Sequence, residues 1–206
     1  MQKACLVLQD GSVFEGFRFG ASRDAVCEVV FNTGLTGYLE LLTDASYAGQ
    51  AIVMAAPIMG NYGIFEEESE SYRPWVEAMI IRDLTTVKGD QRQAEDLSAY
   101  LKRNDIPGLW GIDTRALTLL IRESGTMVGV ITDGAEHELD RNACKKRIEA
   151  YDAEHVVPRV SFPQKRFFPA NIAAWDKAAF LQCASKGDPS RAEQLAEKSS
   201  SKATYK

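Results

Sequence analysis

The chain is poor in the groups that most often announce a function. Its 206 residues include two histidines, His137 and His155, and neither has a partner at ligand spacing. Both stand in polar stretches, which reads as surface histidine rather than as a metal or proton-transfer site. The four cysteines, Cys5, Cys27, Cys144 and Cys183, are widely spaced and form no Cys-x-x-Cys pair. That spacing excludes the common zinc and dithiol motifs and reads as free thiols in a reducing compartment, so the expected location is cytoplasmic. No Gly-x-Ser-x-Gly or Gly-x-Cys-x-Gly turn presents a strained nucleophile. The glycines at 34 and 37 are not followed by Gly-Lys-Ser/Thr and make no phosphate loop or dinucleotide fingerprint. Apolar runs fall far short of the ~20 residues that a membrane helix needs. Residues 1–11 hold too short an apolar stretch for a secretory signal and run at once into a turn. The formal net charge of −5, with no basic stripe, makes a poor nucleic-acid binder. The expectation is therefore no nucleic acid, no membrane and no metal.

What remains is an ordinary globular composition, 45% hydrophobic and 26% charged, in a length that suits one domain, or one domain with an appendage. Short β-rich runs open the chain, at residues 5–9, 13–17, 28–32, 51–55 and 78–81. Asp10-Gly11 between the first two is a two-residue hairpin signal. Residues 93–103 place Leu97, Tyr100 and Leu101 on one helical face. After a short strand at 109–112, Asp113 predicts the N-cap of a helix carrying Leu117, Leu119, Leu120 and Ile121, with Gly125 as a left-handed stop. A strand at 127–132 and an amphipathic helix at 140–150 follow. Beyond Ser161 the character changes. Residues 162–169 are rich in proline and aromatics without a period, and a helix is expected over 171–186. Ser190 is placed to cap a short final helix, and 199–206 read as a frayed end.

The acidic run at 66–70 reads as a solvated loop. The stretch with most to offer is 28–47: a β-branched strand, a polar loop with Gly34 and Gly37, a short helical segment, and a second loop presenting Ser46. Exposed hydroxyls and backbone N–H groups at the end of a buried strand are where binding sites on α/β scaffolds lie. From the residues alone, Ser46 reads first as a turn serine bonding nearby backbone.

Several separated segments then speak together. Asp10-Gly11-x-Val13-Phe14-x-Gly16 precedes Glu28-Val29-Val30-Phe31-Asn32-Thr33. Thr36-Gly37-Tyr38, Thr43-Asp44-x-Ser46-Tyr47 and Pro57-x-x-Gly60-Asn61-Tyr62-Gly63 come next. Ile81-Arg82-Asp83-Leu84, Gly111-Ile112-Asp113-Thr114-Arg115-x-Leu117-Thr118 and Arg122-Glu123-x-Gly125 complete the set. In this order and spacing the chain resembles the N-terminal domain of the small subunit of glutamine-hydrolysing carbamoyl-phosphate synthetase. The resemblance is firmest over residues 3–134 and weaker to 161.

The resemblance implies a mixed α/β (α+β) fold, a swivelling β/β/α-type layered domain over residues 1–161, with 162–206 as a short helical tail left unassigned. It implies that the complete small subunit hydrolyses L-glutamine and passes ammonia to a large subunit. That subunit makes carbamoyl phosphate for pyrimidine and arginine synthesis. The partner implied is the large subunit, in a heterodimer, with ATP and magnesium on that subunit and no cofactor in this chain. The family serine of Thr-Asp-Pro-Ser-Tyr, a glutamine contact, falls on Ser46. Two departures are local: Ala45 stands where the family usually has proline, and Met59 where a histidine is common. The third is larger. The family's second domain, a class I amidotransferase with a Cys nucleophile, a His base and an orienting Glu, has no counterpart in 162–206. About 45 residues cannot hold such a domain. No catalytic residue is expected in this chain, which by itself is expected to be inactive. The tail stands open as a divergent appendage, a truncated or frameshifted reading frame, or an artefact. The alternative reading is a non-catalytic docking or scaffold module for the large subunit, and the blandest is an unrelated small-molecule-binding α/β domain.

Overall fold

The computed structural model describes residues 1–86, 95–152 and 156–161. In chain order the elements are β1 (Lys3–Leu8), β2 (Val13–Gly20), β3 (Ala25–Asn32), α1 (Tyr38–Thr43), β4 (Gln50–Met54) and β5 (Ile58–Met59). They continue with β6 (Ala78–Ile80), β7 (Asp83–Leu84), α2 (Leu97–Arg103), β8 (Pro107–Trp110), α3 (Thr114–Ser124), β9 (Met127–Asp133), α4 (Arg141–Glu149) and α5 (Val156–Val160). The mixed α+β reading holds. The expected tail, its helices, the 93–94 start of the second helix, His155 and Cys183 lie outside the described residues.

Seven strands close into a barrel in the order β1-β2-β8-β6-β4-β3-β9, with β9 returning to β1. Half of it is parallel (β3, β4, β6, β8) and half antiparallel (β8, β2, β1, β9, β3). β5 and β7 form a separate two-residue parallel pair, too short to carry any periodic signal in sequence.

Strand alternation sorts the side chains. Ala4, Leu6 and Leu8 of β1, Ala51 and Val53 of β4, and Ala78 and Ile80 of β6 share the barrel interior. Their neighbours turn outward. Ile52, Met54 and Met79 meet Tyr38, Leu39, Leu97 and Leu101 of α1 and α2 in a second apolar layer. On the antiparallel side Val7 and Val130 pack under Cys144 and Ile148 of α4. Helices on both sides explain why β1 and β4 read as near-continuous apolar runs instead of alternating ones.

The interior is narrow, and small residues make it so. Gly129 shows the limit: a Cβ there would sit 2.9 Å from Leu6 Cδ1 and 3.0 Å from Val29 Cγ2. Gly108 plays the same part on the outer face, where the ring of its register partner Phe19 lies over it.

α3 closes one mouth. Asp113 caps it by accepting from the Ala116 N–H at 3.0 Å, as the sequence predicts. Leu117 and Ile121 then enter the barrel core, and the helix lies against β3 and β4. Two turn expectations need correction. The β1–β2 turn has three residues, not two: Gly11 N–H donates to Leu8 O and Leu8 N–H to Ser12 O, with Gly11 at φ 89°. The Asp10 carboxylate takes both the N–H and the hydroxyl of Ser12, which favours this longer loop. Gly125 does end α3, but at φ 86°, ψ −179°, because the chain leaves directly in the extended geometry of β9 instead of curling into a left-handed cap.

A Gly129→Val variant places two methyl groups in the filled interior, and overpacking of this kind costs about 1–3 kcal/mol. The expected result is a melting temperature lower by several degrees, read by circular dichroism, with far-UV signal retained.

Candidate functional site

The crossover from β3 to β4 carries the candidate site. Parallel neighbours cannot be joined by a hairpin, so residues 33–49 must travel back along the outside of the barrel. They do so as a loop, α1, and a short 3₁₀ turn at Ala45–Tyr47. Side chains brace every step. Asn32 Oδ1 accepts from Gly34 N–H at 2.7 Å, and Asn32 Nδ2 donates to the Tyr47 hydroxyl at 3.4 Å.

At the start of α1 no side chain of its own end caps the helix, and Gly37 holds φ 82°. The acceptor comes from elsewhere: the Tyr62 hydroxyl takes the N–H of Gly37 at 2.8 Å and of Tyr38 at 3.2 Å. The two phenol rings stack at 4.3 Å, and the buried Tyr38 hydroxyl donates to Gly63 O at 2.7 Å. Burial pushes both phenols above their ordinary range, so they remain neutral, and the Tyr38 hydroxyl remains a donor, across physiological pH. Thr36-Gly37-Tyr38 and Gly60-Asn61-Tyr62-Gly63, far apart in sequence, are thus one bonded unit. Tyr62 as the acceptor for α1 is invisible in sequence; a polar-tipped aromatic beside two loop glycines is the only hint.

The C-terminal end of α1 is fixed as firmly. Buried Thr43 donates its hydroxyl to Leu39 O and accepts the Glu70 N–H, while its carbonyl accepts from the Ser71 hydroxyl at 2.6 Å. Trp75 Nε1 donates to that same Ser71 oxygen, and its backbone N–H to Leu42 O. Arg73 lies 3.8 Å above the Trp75 ring.

From this anchor Asp44 caps the 3₁₀ turn by accepting the Ser46 N–H at 2.8 Å. Ser46 itself is exposed. The Ser46 hydroxyl has no hydrogen-bond partner among the described residues and is available to a ligand. Ala45 occupies the first position of the turn, its N–H is not used in any backbone bond there, and Asp44 is extended at ψ 120°. Met59 is buried in the outer apolar layer, so that departure leaves a packing residue and no polar group.

Nothing in the described residues supplies a nucleophile. Cys5, Cys27 and Cys144 are buried. Burial, then the charges of Glu15 and Glu136, pushes the Cys5 thiol up to about 11; burial likewise raises Cys27 and Cys144. Thiols so placed are poor attackers at neutral pH. His137 is exposed beside Glu138. Among the described residues no three His, Cys, Asp or Glu gather to hold a metal, and no helix is long and apolar enough to cross a membrane. Two shallow clefts of about 640 and 490 Å³ lie beside α4 and neither includes Ser46.

The family profile described as "Carbamoyl-phosphate synthase small chain, CPSase domain" matches residues 6–131, more than half of the chain. The chain belongs to the carbamoyl-phosphate synthase small chain family. A small chain from Clostridium perfringens is 45% identical over 163 residues, covering 79% of this chain and 46% of that one. The pyrimidine-specific small chain of Bacillus subtilis is 46% identical over 146 residues (71% and 39%), and a small chain of Bacillus caldolyticus 49% over 129 (63% and 35%). The chain thus spans less than half the length of these small-chain relatives. Solved structures overlay weakly, an aminopeptidase from Aneurinibacillus sp. strain AM-1 at TM-score 0.36 and 14% identity over 64% of this chain and 30% of that one, and carry no argument.

Two variants test how α1 and the Ser46 turn are held. Tyr62→Phe leaves the Gly37 and Tyr38 N–H groups without their acceptor, a loss of about 1–3 kcal/mol, read as an earlier melt and faster amide exchange at 37 and 38. Ala45→Pro fits both the extended residue before it and the unused N–H, and should stabilise by about 0.4–1 kcal/mol, read as a later melt.

Proposed function

We propose that this chain supplies the CPSase domain, residues 1–161, of a glutamine-hydrolysing carbamoyl-phosphate synthase small subunit. In that role it docks on the large subunit and lines one edge of the glutamine site, so that ammonia reaches the centre where carbamoyl phosphate forms, with ATP and magnesium bound on the large subunit. The observation that carries this reading is the family match over 6–131. Ser46 is the residue that meets glutamine. Support for it comes from the free, exposed hydroxyl on a turn pinned at both ends, a pre-organised donor for a carboxylate. A charge-assisted hydrogen bond of this kind is worth roughly 1.5–3 kcal/mol.

The chemistry is not in the domain. The described thiols are buried and held protonated, and no Gly-x-Cys-x-Gly occurs in the sequence. In this reading the chain by itself is inactive as a glutaminase. Its contribution is position: one wall of a site whose attacking sulfur comes from an amidotransferase domain.

The purified chain is expected to release no glutamate from glutamine above buffer, by a coupled glutamate dehydrogenase assay; measurable release would overturn the reading. In a complete small subunit carrying this domain, Ser46→Ala should raise the glutamine KM roughly ten- to a hundredfold. An unchanged KM and turnover would remove Ser46 from the site.

A further inference from the structure

We propose that Ser71 and Trp75 are positioning residues for Ser46: together they fix the peptide from which the Ser46 turn starts, and so set how tightly glutamine is held. The inference rests on Ser46 being the glutamine contact, as read above, and adds what places it.

α1 cannot hold the turn by its own stability. It has six residues, well under the ~12–15 at which an isolated helix becomes even marginal. Its last turn carries no basic side chain, and its C-cap residue, Asp44, is extended at ψ 120°. The carbonyls that a helix end leaves open are answered by a segment distant in sequence. Trp75 N–H donates to Leu42 O at 2.8 Å, and the Ser71 hydroxyl to Thr43 O at 2.6 Å. The acidic run at 66–70, read from sequence as a solvated loop, leads directly into this clamp.

The direction of the bonds is fixed by chemistry. An indole Nε1 donates and never accepts, so at 2.7 Å it takes a lone pair of Ser71 Oγ. Ser71 has one proton to give, and Thr43 O at 2.6 Å is a nearer acceptor than Arg73 O at 3.2 Å. The relay therefore runs from Trp75 N–H to Ser71 O–H to Thr43 C=O, each bond polarising the next. Its start is firm: Trp75 is 7% exposed, with Tyr72 edge-on at 5.6 Å and Arg73 over the ring. Its end is dry, since Thr43 is 1% exposed and water has little access to replace the Ser71 bond.

The peptide so held continues into Asp44, whose carboxylate grips the Ser46 N–H at 2.8 Å. If the Thr43 carbonyl loses its partner and rotates, Asp44 swings, and the Ser46 hydroxyl swings with it. A displacement of ~1 Å is enough to break a hydrogen bond to a ligand. The effect on glutamine is thus felt through Ser46 and by no contact of Ser71 or Trp75 with the ligand.

The test uses a complete small subunit carrying this domain, assembled with its large subunit. Glutamine KM, kcat and melting temperature are read for Ser71→Ala and Trp75→Phe, each alone and in the Ser46→Ala background, for Ser46→Ala, and for Asn104→Ala. Asn104 is the control, because its side-chain amide also bonds a helix-end carbonyl, Tyr100 O at 2.9 Å, at the end of α2. Ser71→Ala is expected to raise KM about five- to thirtyfold and Trp75→Phe about threefold or more, with kcat within about twofold. Asn104→Ala should lower the melt and leave KM within about twofold. In the Ser46→Ala background the Ser71 and Trp75 changes should move KM by less than about twofold, since no hydroxyl is left to place. The same KM factor in both backgrounds would mean a role in stability alone and overturns the inference. A wild-type KM in Ser71→Ala and Trp75→Phe, while Ser46→Ala raises it, also overturns the inference and leaves the Ser46 reading standing. An unchanged KM in Ser46→Ala removes that reading and this inference together. If Ser71→Ala does not fold, Trp75→Phe decides by the same rule: coupling to Ser46 supports the relay, and additivity overturns it.

Discussion

The double pairing of β9, with β1 on one edge and β3 on the other, turns seven strands into a closed barrel. Closure around so narrow an interior is possible only because Ala4, Ala25, Ala51, Ala78 and Gly129 stand where larger residues would splay the strands. The rest of the structure follows. With four strands parallel, each connection on that side has to cross the outside of the barrel. The first crossover is long enough to hold α1 and the turn that presents Ser46. A hairpin at that point would have left no room for either, so the candidate site is a by-product of strand direction.

Most single elements were legible in the sequence, because each rests on local pattern. The apolar run that becomes β4, the Leu97, Tyr100 and Leu101 face of α2, and Asp113 as a cap all depend on neighbours within a few residues. What was illegible depends on groups far apart. Nothing local says that Gly129 must face Leu6, or that Tyr62 will cap a helix whose own end has no capping side chain. The left-handed stop expected at Gly125 failed for a similar reason: β9 draws the chain out straight. β5 and β7, two residues each, exist only because the loops around Pro57 and Asp83 meet. Asn32 was half legible, since an Asn two residues before a glycine is an established way to bond a turn, while its second bond to Tyr47 was not.

Of the site, the sequence offered Ser46 as a loop serine with two readings. The structure adds that Asp44 holds its backbone N–H while no described group bonds its hydroxyl. It also ties the small-chain family motifs into two groups. Those around Tyr38 and Tyr62 build the brace behind the Ser46 turn, and those around Arg82 and Gly111 meet near the mouth where α3 begins.

The closing strand also sets an order of events during synthesis. Between the last residue of β3, Asn32, and the first of β9, Met127, lie 94 residues, which a ribosome adds in roughly 5–20 s. For that interval β1 and β3 each present an unpaired edge of apolar strand, the kind of template on which nascent chains cross-associate. The domain is therefore most vulnerable shortly before it is complete, and a nascent chain stalled short of Asp133 is the form that most needs a chaperone.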